Sequence, residues 1–164
     1  LDQAIMRHPV FQAAAQPHTR SRLLVSKTEP GGGYGWHIDN PFMGRGDEAF
    51  RTDLSFTLFL NDPASYEGGA LEIEHAGHRE QIKLEAGCLV LYPSAALHQV
   101  APVTSGERLV CVGWLESRVR RADDRELLFD LINLQAEFSQ SHDAQSVEML
   151  TLSKVIANLR RRFS

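Results

Sequence analysis

The spacing of apolar residues divides the chain into three regions. Residues 1–16 carry apolar positions at helical spacing, with an interruption at Pro9. From residue 22 to residue 116 the pattern changes to short apolar runs separated by glycine, proline and aspartate, which is typical of strands joined by turns. Helical spacing returns after residue 121. The pattern therefore predicts a mainly β protein with helices at both ends of the chain.

The middle region contains eight candidate strands. Their predicted bounds are 23–27, 34–39, 54–60, 70–74, 80–84, 88–92, 98–103 and 108–115. Many short strands separated by turn residues favour two facing sheets, so we predict a double-stranded β-helix, the jelly roll of cupin-like proteins. Such a fold tapers toward one mouth, which is a natural place for a metal.

Two further helices are predicted after residue 121. Asp123 or Asp124 is expected to cap the first, and the second covers roughly residues 144–163. Their apolar faces are assigned to Leu127, Leu131, Leu134 and Phe138, and to Met149, Leu152, Ile156, Leu159 and Phe163. We expect residues 1–121 to form the jelly-roll domain, and residues 122–164 to form a helical extension that packs on it and offers a contact to a second copy of the chain.

Composition restricts the environment and the partners. The chain of 164 residues has a net charge of −4, which gives no reason to expect a nucleic-acid partner, and no apolar stretch approaches the length of a membrane span. Cys88 and Cys111 lie in apolar runs and are predicted to be reduced thiols packed in strands, which favours the cytoplasm. Because the chain begins at Leu1 without a methionine, we expect it to be a fragment.

The candidate chemistry begins with His37, Asp39 and His98. Alternate side chains of an extended segment point to the same side, so His37 and Asp39 are predicted to converge. His98 follows another apolar run and can be delivered by a different strand. Two histidines and one carboxylate form the facial triad that holds non-haem Fe(II) and leaves coordination positions open.

Arg108 is the second chemical feature. A predicted turn at 104–106 should place His98 and Arg108 on neighbouring antiparallel strands of one hairpin. An arginine in a narrow apolar cavity requires an anion, and its planar fork suits a carboxylate. 2-Oxoglutarate fits, because its 2-oxo acid end can chelate iron while its far end carries a carboxylate.

Four segments carry a family resemblance: YGWHIDN at 34–40, RTDLSFTLFL at 51–60, YEGGAL at 66–71 and YPSAALHQVAPVTSGER at 92–108. They resemble the PKHD-type hydroxylases, bacterial Fe(II)- and 2-oxoglutarate-dependent dioxygenases related to prolyl hydroxylases. The resemblance implies that His37, Asp39 and His98 bind iron, that Arg108 binds the far carboxylate of 2-oxoglutarate, and that ascorbate keeps the iron reduced. It also implies hydroxylation of a C–H bond with release of succinate and carbon dioxide.

Two positions depart from the family pattern. Many relatives have a tyrosine nine residues before the first iron histidine, where this chain has Thr28. Prolyl hydroxylases tend to have a tyrosine near the position of Phe59, which can contact the co-substrate. Neither change affects the triad or the arginine, but other co-substrate and substrate contacts are not carried over from relatives.

Two other functions fit the same residues. A zinc-dependent hydrolase can use two histidines and a carboxylate, although it leaves Arg108 without an obvious partner and the sequence offers no evident general base. A jelly-roll protein can also bind a metal without turnover. For a hydroxylase, the substrate remains open between small molecules, amino acids and peptides.

Several individual residues have plainer interpretations. His78 and Glu80 form a competing His-x-Glu triplet, but they follow a predicted hairpin turn and are expected at a solvated tip. Trp114 should share the inward face with Arg108, where it packs in the core or lines the co-substrate pocket. Tyr34 and Trp36 either shape the substrate mouth or pack. The remaining histidines are expected at the surface: His8, His18, His75 and His142.

Overall fold

The computed structural model describes the whole chain, Leu1–Ser164, which divides into two compact units. One unit comprises Leu1–His18 with Ser117–Ser164, and the other comprises Thr19–Glu116. The helices are α1 (Asp2–Arg7), α2 (Pro9–Ala15), α3 (Ala122–Phe138) and α4 (Val147–Phe163). The strands are β1 (Pro17–Arg20), β2 (Leu24–Thr28), β3 (Tyr34–His37), β4 (Phe42–Met43), β5 (Phe50–Arg51), β6 (Leu54–Phe59), β7 (Tyr66–Gly68), β8 (Leu71–His75), β9 (His78–Ile82), β10 (Leu89–Pro93), β11 (His98–Val100), β12 (Val103–Gly106) and β13 (Arg108–Ser117). The division expected from the sequence, a jelly-roll domain at 1–121 and a helical extension at 122–164, remains a prediction.

The strands form two main sheets by antiparallel pairing. The larger sheet has the order β1-β13-β6-β10, with β2 also paired to β13. The smaller sheet has the order β3-β11-β8-β9, and two short pairs join β7 to β12 and β4 to β5. This architecture confirms the predicted fold class, a mainly β double-stranded β-helix followed by C-terminal helices.

A shared apolar cluster lies between the two main sheets. Phe59, Tyr92 and Val110 come from β6, β10 and β13 of the larger sheet, and Leu71 and Ile73 come from β8 of the smaller one. None of the five is more than 8% exposed. Because removing apolar surface from water is the main force in folding, this cluster holds the two sheets face to face.

The unit that contains the terminal helices has its own apolar cluster. Val119, Leu128 and Ile156 are buried at its centre. α4 begins after Ser146, whose hydroxyl accepts the Met149 N–H, and its predicted apolar face is confirmed. None of the four helices combines the length and the apolar character that crossing a bilayer requires.

The start and the buried face of α3 differ from the prediction. The N-cap residue is Arg121 rather than either aspartate, and the Asp123 carboxylate instead accepts a hydrogen bond of 3.0 Å from Arg121 Nε. Leu127 and Leu134 are 45% and 38% exposed, whereas Leu128 is fully buried. The sequence is apolar at both 127 and 128, so the choice between the two faces depends on packing against the other helices.

The predicted hairpin between His98 and Arg108 is wrong. The strand that begins at His98 ends at Val100, and Val103–Gly106, expected to be mainly a turn, is a separate strand that pairs with β7. β11 belongs to the smaller sheet and β13 to the larger one. Pro102 has no N–H with which to continue the first ladder, and the chain leaves that sheet there. His98 and Arg108 are therefore carried by facing sheets.

The two cysteines differ in exposure. Cys111 is buried in β13 as predicted, but the prediction that Cys88 is packed in a strand is wrong. Cys88 is exposed in the turn before β10, where its N–H donates to the Glu85 carbonyl oxygen. Neither cysteine forms a disulfide.

We expect a thiol reagent to modify one cysteine quickly in the native protein and the second only after denaturation. The fast thiol is Cys88 because it is exposed, and the protected one is Cys111. Counting modified thiols with and without denaturant, without reducing agent, checks this. A count of zero in the denatured protein would instead indicate a disulfide.

Candidate active site

His37, Asp39 and His98 meet where β3 pairs with β11. His37 is the last residue of β3 and lies opposite His98, the first residue of β11. Asp39 follows just beyond the end of β3. His37 Nε2 lies 3.7 Å from Asp39 Oδ1, and His98 Nε2 lies 3.7 Å from Asp39 Oδ2. Ligand atoms from all three side chains lie within 4.8 Å of one another, a separation at which a single metal ion can contact all of them.

Both histidines are held in the same tautomer. His37 Nδ1 lies 2.7 Å from the Gly35 carbonyl oxygen, and His98 Nδ1 lies 2.9 Å from the Ala96 carbonyl oxygen. Because a carbonyl oxygen can only accept, each Nδ1 carries the hydrogen and each Nε2 keeps its lone pair. These Nε2 atoms are the ones that approach Asp39. The main chain therefore prepares both imidazoles to bind a metal.

The Asp39 carboxylate is held by serines beside it. Ser55 Oγ on β6 donates to Asp39 Oδ2 over 2.5 Å and lies 2.7 Å from Ser94 Oγ. The Asp39 N–H donates to the Ser94 carbonyl oxygen over 3.2 Å. Ser55 and Ser94 are each 1% exposed. The orientation of this carboxylate is thus set by groups that have no access to water.

Arg108 is the first residue of β13 and is only 2% exposed. Its Nε and Nη2 atoms are buried without a hydrogen-bond partner, and its Cζ lies 5.8 Å from the centroid of the Phe59 ring. Burial lowers the pKa of Arg108, and the nearby Tyr66 and Tyr92 oppose that shift. A buried guanidinium with unsatisfied N–H groups is costly, so the site suits an anion.

One cavity of about 740 Å³ contains both features. His37, Asp39, His98 and Arg108 all line it. Apolar or aromatic side chains of both sheets contribute further walls, among them Leu71, Val100, Val110, Val112 and Trp114. Of the two interpretations of Trp114, the structure therefore supports the one in which it lines the pocket. Such an apolar cavity with a few polar groups is the usual form of a small-molecule site.

Tyr92 lies beside the histidine cluster, in the cavity that Arg108 also lines. Its ring centroid lies 5.1 Å from that of His98 in an edge-on arrangement, and its side chain lines the cavity. Burial raises the pKa of Tyr92 to about 12, with the Asp39 charge adding to the shift and Thr57 and Arg108 opposing it. The hydroxyl is therefore protonated at neutral pH and can donate a hydrogen bond inside the cavity.

The other residues with a predicted position lie mostly at the surface. His78 and Glu80 are exposed beside the hairpin turn between β8 and β9, so the expected solvated tip is confirmed. Tyr34 lines the cavity and is 63% exposed, whereas Trp36 is half-buried with the Arg79 guanidinium 4.7 Å from its ring centroid. The histidines predicted at the surface are all exposed: His8, His18, His75 and His142.

Ser55, Ser94 and Tyr92 were not predicted as site residues. A signal for Ser55 exists in the sequence, because a hydroxyl inside a fully buried apolar strand needs a partner. Ser94 and Tyr92 lie within the segment that resembles relatives, but their spacing alone indicates no ligand.

A family model described as the 2OG-Fe(II) oxygenase superfamily matches residues 23–116. The chain belongs to this superfamily, whose members depend on Fe(II) and 2-oxoglutarate, and it is a 2-oxoglutarate-dependent dioxygenase. PKHD-type hydroxylases from Hyphomonas neptunium and Synechococcus elongatus are 51% and 49% identical over 99% and 98% of the chain. The chain spans 72% of each of these relatives. The resemblance to PKHD-type hydroxylases is confirmed.

Solved structures share the fold. A prolyl-4-hydroxylase from Pseudomonas putida superposes with a TM-score of 0.55 and 27% identity, over 71% of this chain and 66% of its own. A prolyl hydroxylase from Trichoplax adhaerens, solved with a hypoxia inducible factor peptide, has a TM-score of 0.51 and 23% identity, over 66% of this chain and 49% of its own. The second likeness concerns the fold alone.

Proposed function

We propose that this dioxygenase hydroxylates a C–H bond of its substrate and releases succinate and carbon dioxide. His37, Asp39 and His98 hold Fe(II), and Arg108 binds the far carboxylate of 2-oxoglutarate. One observation carries the proposal: a cluster of three metal-ligating side chains and a buried arginine with unpartnered N–H groups line the same cavity.

The donor set fits Fe(II). Two neutral imidazoles and one carboxylate are the ligands of non-haem Fe(II) oxygenases, and three protein ligands leave positions for co-substrate and dioxygen. A zinc hydrolase would need a general base beside the metal. Besides Asp39, the acidic residue that lines the cavity is Glu29, which lies 3.0 Å from Lys27 Nζ in an ion pair. This pairing favours the oxygenase over the hydrolase.

The pocket around Arg108 fits a carboxylate. The guanidinium has two buried nitrogens, Nε and Nη2, that the protein leaves unpaired, and the protonated Tyr92 hydroxyl lines the same cavity. Thr28 lies opposite Arg108 in the pairing of β2 with β13 and also lines the cavity. A charge-assisted pair between guanidinium and carboxylate is among the stronger polar contacts in proteins.

When bound, Fe(II) and 2-oxoglutarate supply the oxidative chemistry that uses dioxygen to hydroxylate the substrate. The contribution of the protein is binding and orientation. The Gly35 and Ala96 carbonyl oxygens hold the two imidazoles, and Ser55 holds the carboxylate of Asp39. Apolar side chains from both sheets line the cavity around the reacting groups.

The reductant, the class of substrate and the compartment are inferred from the family resemblance and the composition. Ascorbate is the reductant that keeps the iron active, and the substrate is a small molecule, an amino acid or a peptide rather than a nucleic acid or a membrane. Two cysteines that are not joined in a disulfide favour the cytoplasm. Exposed apolar residues on α3 and α4, among them Leu127, Val147 and Leu150, favour a homo-oligomer formed through these helices.

An anaerobic titration tests the proposal. Adding 2-oxoglutarate to the Fe(II) protein should produce a weak visible charge-transfer band, and the Zn(II) protein serves as the control that cannot show it. A substrate screen should then release succinate together with a product that has gained one oxygen atom. A metal-binding protein without turnover would release no succinate, and a zinc hydrolase would act independently of 2-oxoglutarate.

A further inference from the structure

We infer that Ser94 and Ser55 form a directed hydrogen-bond relay that orients Asp39 and presents its Oδ1 to the metal. The inference rests on the proposed metal site and assigns a positioning role to two residues that are not ligands.

The direction of the relay follows from counting hydrogens. Ser55 Oγ donates to Asp39 Oδ2 over 2.5 Å, and this bond uses the single hydroxyl hydrogen of Ser55. Ser55 Oγ can then only accept in its 2.7 Å contact with Ser94 Oγ, and Ser94 must be the donor. The relay runs from Ser94 through Ser55 to Asp39. Each bond polarises the next, and the last one is charge-assisted.

The relay distinguishes the two carboxylate oxygens. Each oxygen lies 3.7 Å from one imidazole, Oδ1 from His37 Nε2 and Oδ2 from His98 Nε2, but only Oδ2 accepts the hydrogen bond from Ser55. Oδ1, which accepts no hydrogen bond from Ser55, keeps its lone pairs available for a metal. Asp39 is therefore prepared to bind through one oxygen, which leaves more of the coordination sphere open than a carboxylate bound through both.

Ser94 positions Asp39 in two ways, through its carbonyl oxygen and through its hydroxyl. Asp39 lies beyond the end of β3, so the regular ladder of that strand does not hold its main chain. Instead, its N–H donates to the Ser94 carbonyl oxygen over 3.2 Å, and the Ser94 N–H donates to the Asp53 carbonyl oxygen over 3.1 Å. One residue beside β10 thus positions both the main chain of Asp39 and, through Ser55, its carboxylate.

The burial of both hydroxyls supports a role beyond packing. Ser55 and Ser94 are each 1% exposed, and a buried hydroxyl is unfavourable unless its hydrogen bonds are made. In this pair every hydroxyl hydrogen has an acceptor, because Ser94 donates to Ser55 and Ser55 donates to Asp39.

Three variants test the relay, with Co(II) as the probe metal. Loss of a group that orients a ligand typically weakens metal binding by roughly 10- to 100-fold, and this is the loss expected for Ser55→Ala. Ser94→Ala keeps the carbonyl oxygen that holds the Asp39 N–H, so it should weaken Co(II) binding by a smaller factor. Because Ser94 acts on the carboxylate only through Ser55, the double variant should bind like Ser55→Ala alone.

The controls separate positioning from stability. Ser117→Ala removes an equally buried hydroxyl that donates to the Ala15 carbonyl oxygen, and it should bind Co(II) like wild type. Ser55→Thr keeps a donor and should retain most of the affinity. Thermal unfolding of the metal-free variants shows whether each one folds, and the Co(II) absorption spectrum reports the ligand geometry. This spectrum should change in Ser55→Ala and not in Ser117→Ala.

The outcomes distinguish the relay from the metal site itself. Suppose that the wild-type protein binds Co(II) and that Ser55→Ala folds and binds it with equal affinity and an unchanged spectrum. This result would overturn the relay but leave the proposed metal site standing. Additive losses in the double variant would overturn its direction. If wild-type protein bound no Co(II), the proposed metal site would fail, and the relay with it. Should Ser55→Ala not fold, Ser94→Ala decides, and wild-type binding by that variant would reject the relay.

Discussion

Asp39→Ala is expected to lose Fe(II) almost completely while the metal-free protein folds normally. Asp39 is the one acidic residue of the proposed metal-binding cluster, so the variant offers the cation two neutral imidazoles and no compensating charge. Changes to groups that merely orient a ligand cost about 10- to 100-fold in metal affinity, and removing the ligand should cost more than that. Folding should persist because the Ser55 hydroxyl can still hydrogen-bond to Ser94.

Anaerobic Fe(II) titration of wild-type and variant protein measures this loss. Asp130→Ala is the matched control, since it removes an exposed carboxylate from α3 and should leave iron affinity unchanged. Thermal unfolding without metal should give similar midpoints for all three proteins. Iron affinity and turnover like those of wild type in Asp39→Ala would remove Asp39 from the ligand set.

The convergence of the three ligand residues could be predicted from sequence because it depends on short-range geometry. His37 and Asp39 are two positions apart at the end of an extended segment, and this spacing brings their side chains to one side even though Asp39 lies beyond β3. The apolar run also predicted that His98 begins a strand. It did not predict which strand lies beside it, and the structure pairs His98 with His37.

The path from His98 to Arg108 could not be predicted in the same way. Glycine and serine at residues 104–106 are equally compatible with a hairpin turn and with the end of a separate strand. The choice depends on β7, a distant partner that pairs with β12. His98 and Arg108 were expected to lie close enough to contact the same ligand. The structure agrees with this expectation, because both residues line one cavity from facing sheets.

Contacts between distant positions explain the other differences. Ser55 and Ser94 are separated by 39 positions, and their hydroxyls meet only because β6 pairs with β10. Leu128 rather than Leu127 is buried because the neighbouring helices select one of two adjacent apolar positions. Local patterns therefore predicted the elements and the ligand spacing, while the groups that orient Asp39 required the tertiary structure.

Arg108→Ala should weaken 2-oxoglutarate binding by roughly a hundred-fold to several thousand-fold. Removing one partner of a buried charged pair typically costs about 3–5 kcal/mol, and about 1.4 kcal/mol corresponds to a factor of ten in affinity. Fe(II) binding should hardly change, because Arg108 is not a member of the ligand cluster. Arg108→Lys should fall between wild type and Arg108→Ala, since lysine keeps the charge and loses the two-pronged geometry.

The measurement is an anaerobic titration of 2-oxoglutarate into the Fe(II) protein, followed by the visible charge-transfer band. Arg160→Ala, which removes an exposed arginine near the end of α4, is the matched control and should bind 2-oxoglutarate like wild type. Equal affinity in wild type, Arg108→Ala and Arg108→Lys would mean that the far carboxylate binds elsewhere.

The stability of the metal-free variant separates a co-substrate role from a structural one. If Arg108 served the fold, Arg108→Ala would break an internal ion pair and lower the free energy of unfolding. Its Nε and Nη2 atoms, however, have no partner within the protein, and burial already lowers its pKa. Removing a buried charge that the protein does not satisfy should leave the free energy of unfolding nearly unchanged, apart from the packing of the side-chain stem. Lost co-substrate affinity with retained stability would show that Arg108 is kept for the ligand rather than for the fold.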